Sequence, residues 1–153
     1  MEVEKVSKRN IWLARVLILM VLAWNVQCAG VFILSPEDYA PGFELSGVPG
    51  AVMVRSMGIL FLMWNVPYLW AAVHPGRHCI SLYEAIIMQA IGLFGETWMN
   101  VELGGGHPIL STTGWRFILF DGTGLALLAL AALVVHLPGR GRASPAAGMG
   151  LMR

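Results

Sequence analysis

Charge is scarce in this chain. Only 12% of its residues are Asp, Glu, Lys or Arg, about half the share in an average soluble domain. Ten basic residues against nine acidic ones leave a formal charge of +1, so no bulk field attracts nucleic acid. Two cysteines exclude a disulfide scaffold, and no CxxC pair is present for dithiol redox chemistry. Walker, GxSxG and HExxH signatures are missing. His74, His78 and Cys79 come close together, but Pro75-Gly76 breaks any helix between them and no fourth metal ligand is evident. No histidine pair has the spacing of a haem site, since His136 stands alone near a span end.

What the chain has instead is apolar length. Hydrophobic residues make up 57% of the 153, and the mean hydropathy is +0.68. A helix that crosses a bilayer needs about 20 apolar residues. Four stretches qualify, at 11–34, 50–73, 80–99 and 115–137. The first and fourth are the most apolar, and the third is the weakest candidate because it carries Glu84, Gln89 and Glu96. The expected fold is an all-α, polytopic four-helix bundle over 11–137, with a short segment 1–10 before it. A Gly-, Ala-, Ser- and Arg-rich tail, 138–153, has the composition of a disordered segment.

Turn chemistry separates the spans. Ser35-Pro36-Glu37-Asp38, Pro41-Gly42 and Pro49-Gly50 mark the first loop, and His74-Pro75-Gly76-Arg77-His78 the second. The third holds Gly104-Gly105-Gly106-His107-Pro108, followed by Ser111-Thr112-Thr113 as N-cap candidates for the last helix. Lys5, Lys8, Arg9, Arg77, Arg140, Arg142 and Arg153 lie in the N-terminal segment, second loop and tail; the first and third loops carry Glu37, Asp38, Glu44 and Glu102. The positive-inside rule therefore predicts both termini in the cytoplasm, in a multi-pass protein of a bacterial-type inner membrane. A cleaved signal peptide is the competing reading of the first span, which is long for an h-region and has a poor cleavage site at Gln27-Cys28-Ala29.

The first two spans echo each other. Arg15 precedes Trp24-Asn25-Val26 by nine residues, Arg55 precedes Trp64-Asn65-Val66 by nine, and the offset between the sets is 40. Successive spans run in opposite directions, so a true repeat would be inverted, as in many transporters; chance and shared membrane constraints give the same pattern.

Ionisable residues inside a span are costly and usually face protein or water. By depth, Arg15 and Glu84 fall at the inner level and Arg55, Glu96, Arg116 and Asp121 at the outer level, with Asn25, Asn65 and Gln89 near the middle. Gln89 and Glu96 are seven apart and share a helical face, with Gly92 between them where another helix can approach. The leading expectation is an outward-opening polar pocket for a small amphipathic or anionic ligand, a quinone or lipid headgroup. Arg55 and Arg116 would hold it, Glu96 and Asp121 would orient the arginines, and Asn25, Asn65 and Gln89 would offer hydrogen bonds deeper in. Against this stand snorkelling for Arg15, Arg55 and Arg116, a capping box at Ser81-Leu82-Tyr83-Glu84, and a structural ion pair between Arg55 or Arg116 and Glu96 or Asp121. Trp12, Tyr68, Trp70 and Tyr83 fall at one interface and Tyr39, Trp98 and Trp115 at the other, as an aromatic belt does. Pro67 marks a kink in the second span.

The four-span plan resembles the small bacterial membrane proteins of the DoxX-like kind. The likeness rests on Arg55-Ser56-Met57-Gly58-Ile59-Leu60, an Arg opening a helix before Gly and an apolar run, and on the Pro-bearing loop Ser35-Pro36-Glu37-Asp38. It implies the same bundle and, through some members, quinone-coupled sulfur oxidation. No cofactor is named by the residues themselves. Two further functions fit: a proton-coupled small-solute transporter, homodimeric and built on the inverted echo, and a structural subunit of a larger membrane complex. Partners would then be the bilayer, a second copy or other membrane subunits, and no nucleic acid.

Overall fold

A computed structural model describes residues 7–136; the tail 138–153 read as disordered lies outside the described residues. The chain is all α. Four long helices, α1 (Lys8–Leu34), α3 (Gly47–Val73), α4 (Cys79–Glu102) and α5 (Pro108–His136), carry the fold. A one-turn helix α2 (Pro36–Tyr39) and a 3₁₀ turn (Ala40–Phe43) fill the first loop. All four long helices are long and apolar enough to cross a membrane.

Each starts a little before the hydropathic stretch, because capping turns are polar while helical geometry continues through them. The largest difference is at α5. Its first turn opens on Pro108, a residue suited to N1 because it has no N–H to lose. Ser111-Thr112-Thr113 therefore lie inside the helix rather than at its cap. Thr112 Oγ1 donates back to the Pro108 carbonyl at 2.8 Å, and Thr113 Oγ1 reaches the Gly42 carbonyl at 2.6 Å. Ser81 is likewise interior: α4 starts at Cys79 with His78 as its cap and no side-chain capping bond, so Ser81 and Glu84 form no capping box. Helix α3 continues through Pro67 to Val73.

The helices run up and down. α1 packs on α3 and α5, and α4 packs on the same two from the other side. The end where α1 begins and α5 finishes, here the termini end, is filled by small residues around a few large ones. Ile18, Leu82 and Leu128 are sealed against Ala14, Ala71, Ala85 and Ala131. The opposite loop end is built on aromatics. Phe32 is nearly sealed there, with Tyr39, Phe43, Phe61 and Phe117 at ring distances from 5.2 to 6.3 Å.

The 40-residue echo has a structural counterpart in α1 and α3. Arg15, early in α1, donates from Nε to the Ala72 carbonyl at 2.9 Å and from Nη2 to the Val73 carbonyl at 2.6 Å. Arg55, early in α3, donates from Nε to the Ile33 carbonyl at 3.2 Å. Each arginine thus caps the exposed carbonyls at the end of its antiparallel neighbour, where positive charge complements the helix dipole. The acceptors obey the same offset as the donors: Ile33 and Val73 are also 40 apart. Burial repeats too, with Asn10, Ala14, Ile18 and Phe32 answered by Gly50, Val54, Gly58 and Ala72. Gly58 makes the crossing possible, since a methyl there would stand 2.9 Å from the Ala29 carbonyl oxygen.

Candidate functional site

Helices α4 and α5 meet through polar side chains laid over glycines. Gln89 of α4 lies over Gly124 of α5, where a methyl would come 2.7 Å from its Nε2. Asp121 of α5 lies over Gly92 of α4, where a methyl would come 2.5 Å from its Oδ2. Near the loop end Asn100 of α4 lies over Gly114 of α5. Its amide is oriented by the bonds it makes, Nδ2 to the Ser111 carbonyl and Oδ1 from Trp115 Nε1, both at 3.1 Å. The glycines leave room for polar groups at a helix interface that would otherwise close on carbon.

Two of these groups belong to a chain of hydrogen bonds across three helices. Tyr68 of α3, 3% exposed, donates its hydroxyl to Gln89 Oε1 at 2.6 Å and lies 3.3 Å from the Ala85 carbonyl. Gln89 Nε2 in turn donates to Asp121 Oδ1 at 2.8 Å. The chain fixes the amide orientation of Gln89, because its two ends need one acceptor and one donor. It also occupies Asp121 Oδ1 and leaves Oδ2 facing Gly92.

Asp121, Gln89 and Tyr68 line a cavity of about 320 Å³. Asn25 of α1 and Glu96 of α4 line it as well, so all four long helices contribute. Gly92 and Gly95 form part of its wall, and Trp64 and Phe120 supply aromatic faces. Among the described residues, no Lys, Arg or His nitrogen comes within 4.0 Å of either carboxylate.

The seven residues singled out by depth thus divide. Asn25, Gln89, Glu96 and Asp121 come together in this cavity. Asn65 is buried one turn before Tyr68 and donates to the Phe61 carbonyl at 2.6 Å, with its Oδ1 unpartnered. Arg55 caps α1 and lines a cleft with Glu37 on another face. Arg116 lines a separate groove between α1 and α5. Equal depth does not mean equal azimuth: Arg55 turns to the end of α1 while Asp121 turns to α4, and no Arg–carboxylate pair forms between these residues. Tyr68, placed by its sequence position in an aromatic belt, is instead a buried donor. Its signal was present, since it falls three residues after Asn65 and shares its helical face.

Above the cavity the first and third loops are clasped. Glu44 Oε2 pairs with His107 Nδ1 at 2.5 Å, and Glu44 Oε1 accepts the Leu110 amide at 3.3 Å. The His107 hydrogen bond, helped by the amides at the start of α5, holds the Glu44 carboxyl below its ordinary range. Glu44 takes a left-handed φ of 55° to end the 3₁₀ turn.

No family model, curated protein or solved structure matches the chain.

Proposed function

We propose that the chain is a multi-pass membrane protein, with both termini cytoplasmic, that carries a small cation in exchange for protons. Its orientation follows the distribution of Lys and Arg, and a bacterial-type inner membrane suits that rule. A resemblance of the four-span plan to that of DoxX-like proteins would accord with such a bundle. The observation that carries the reading is the cavity itself: two carboxylates, Glu96 and Asp121, and no basic partner. A pair of carboxylates in an apolar surround demands a counter-charge. A proton and a small cation both supply it, and competition between them is the elementary step of an exchanger.

The hydrogen-bonded chain supports this role. Tyr68 and Gln89 hold Asp121 through one oxygen, so the other stays available to a ligand. The arrangement of α1 and α3 supports it as well. Two helices of equal length, each capped by the other's arginine, form the kind of inverted pair on which carriers are built. An anionic ligand is a poorer fit, because both arginines expected to hold it lie outside this cavity.

The test is flux into proteoliposomes holding a trapped pH indicator. Guanidinium, methylammonium and tetramethylammonium serve as probes. At least one should drive proton movement in wild type, and Asp121→Asn and Glu96→Gln should each abolish it. Flux of every probe at the rate of empty liposomes would overturn the reading.

A further inference from the structure

A second concavity, of about 730 Å³, runs between α1 and α5 at the loop end. One end of it is charged. Asp38 of α2 and Arg116 of α5 both line it there. The bond from Thr113 to the Gly42 carbonyl ties the 3₁₀ turn that directly follows α2 to α5, one turn from Arg116, which brings the two charges toward one end of the groove. They are not within 4.0 Å of each other, so both remain open to a ligand. Away from this end the walls carry no charge and are mostly apolar, with Val31, Phe117 and Phe120 along the groove, Trp24 toward its far end, and Gln27 and Thr123 as the polar exceptions. Trp24 lies ten residues before the end of α1, so the groove reaches down by ~15 Å at the helical rise. That is about half the hydrocarbon thickness of a bilayer, one leaflet.

We propose that this groove holds one zwitterionic phospholipid with a primary ammonium headgroup, its phosphate on Arg116, its ammonium on Asp38 and one acyl chain along Phe117 and Phe120 toward Trp24. Arg116 alone would favour any anionic amphiphile. Asp38 at the same mouth repels a purely anionic head and attracts an ammonium, and a primary ammonium donates three hydrogen bonds where a quaternary one donates none. The site shares only the Cys28, Phe117 and Phe120 wall with the carboxylate cavity. It rests on the placement of the chain in a bilayer and not on cation transport, so a protein with no flux can still hold the lipid.

The experiment is native mass spectrometry after stepwise delipidation. The full chain is reconstituted in nanodiscs of phosphatidylethanolamine, phosphatidylcholine and phosphatidylglycerol in equal amounts. Wild type should keep one phosphatidylethanolamine per chain after the bulk lipid is gone. Arg116→Ala should reduce that retention about tenfold, as for loss of one charge-assisted contact. Asp38→Asn should shift the retained lipid toward phosphatidylglycerol. Thr123→Trp, which fills the tail end of the groove without touching either charge, should release the lipid at unchanged helical content. Retention that follows the bilayer composition would overturn the proposal. So would equal retention by wild type and Arg116→Ala, or preferential retention of phosphatidylglycerol by wild type.

Discussion

The two ends of the bundle solve the helix-packing problem in opposite ways. At the termini end, alanines let the helices close on Ile18, Leu82 and Leu128, and the polar groups there, the Arg15 cap, buried Asn10 and the Tyr83–His136 pair, lie toward the helix ends. Toward the loop end, glycines do the spacing, and polar groups or empty volume occupy the room they leave. Alanine at a crossing brings two helices together over carbon. Glycine at the α4–α5 crossing admits a carboxylate or an amide. The first arrangement makes a rigid base, and the second makes a site.

Substitutions should separate the two ends. The largest effect on stability is expected from Leu128→Ala, which opens a void in the sealed base and should cost about 2–5 kcal/mol. Reversible unfolding in detergent would read it, with cation flux per folded molecule unchanged. Gly58→Leu forces a side chain onto the Ala29 backbone and should cost about 1–3 kcal/mol. A wild-type midpoint for either variant would break the contrast. At the site, Gln89→Leu removes the link between Tyr68 and Asp121. It should lower stability by only about 1–2 kcal/mol, the scale of hydrogen bonds between membrane helices, yet abolish proton-coupled flux.

The arginine caps give a finer test within the α1–α3 pair. Arg15→Met breaks bonds to two terminal carbonyls, and Arg55→Met breaks one. Losses of about 0.3–1 kcal/mol each are expected, with the Arg15 variant the less stable; the reverse order would mean that the shared offset has no energetic counterpart. The smallest effect concerns the loop clasp. The Glu44 carboxyl, held by His107, sits below the usual carboxylate range, so the folded state favours the ionised form. That contribution is fully present above the unfolded value and is lost as pH falls through the depressed folded value. The protection of the Leu110 amide, its exchange taken relative to the intrinsic rate at each pH, should therefore fall on acidification through that range, and in Glu44→Gln the pH dependence of the protection should vanish.

Much of the bundle was legible in the sequence because about 20 apolar residues in a row, the length a bilayer crossing would need, leave few alternatives to a long helix. The shared face of Gln89, Gly92 and Glu96 was legible for the same kind of reason, since helical periodicity is rigid. The partners of Arg15 and Arg55 were not. They are backbone carbonyls, and every residue has one, so no side-chain pattern announces them. Depth counting grouped Arg55 and Arg116 with Glu96 and Asp121 because it sees the level of a residue and not its bearing around the helix. The bearing is set by Gly92, Gly124 and Gly58, whose role appears only when the opposing helix is in place. Tyr68 shows the same gap. Its position near a span end fits an interfacial aromatic, and only the approach of Gln89 from α4 makes it a buried donor.

The most direct test of the account is proton release on cation binding, measured in weakly buffered detergent solution with a pH indicator. The probe is whichever of guanidinium, methylammonium and tetramethylammonium binds wild type at the lowest concentration. The account predicts that binding releases protons from wild type, that the release saturates with the bound probe, and that Asp121→Asn and Glu96→Gln each reduce it at matched folded yield. Binding without proton release, or release unaltered in both variants, would contradict it.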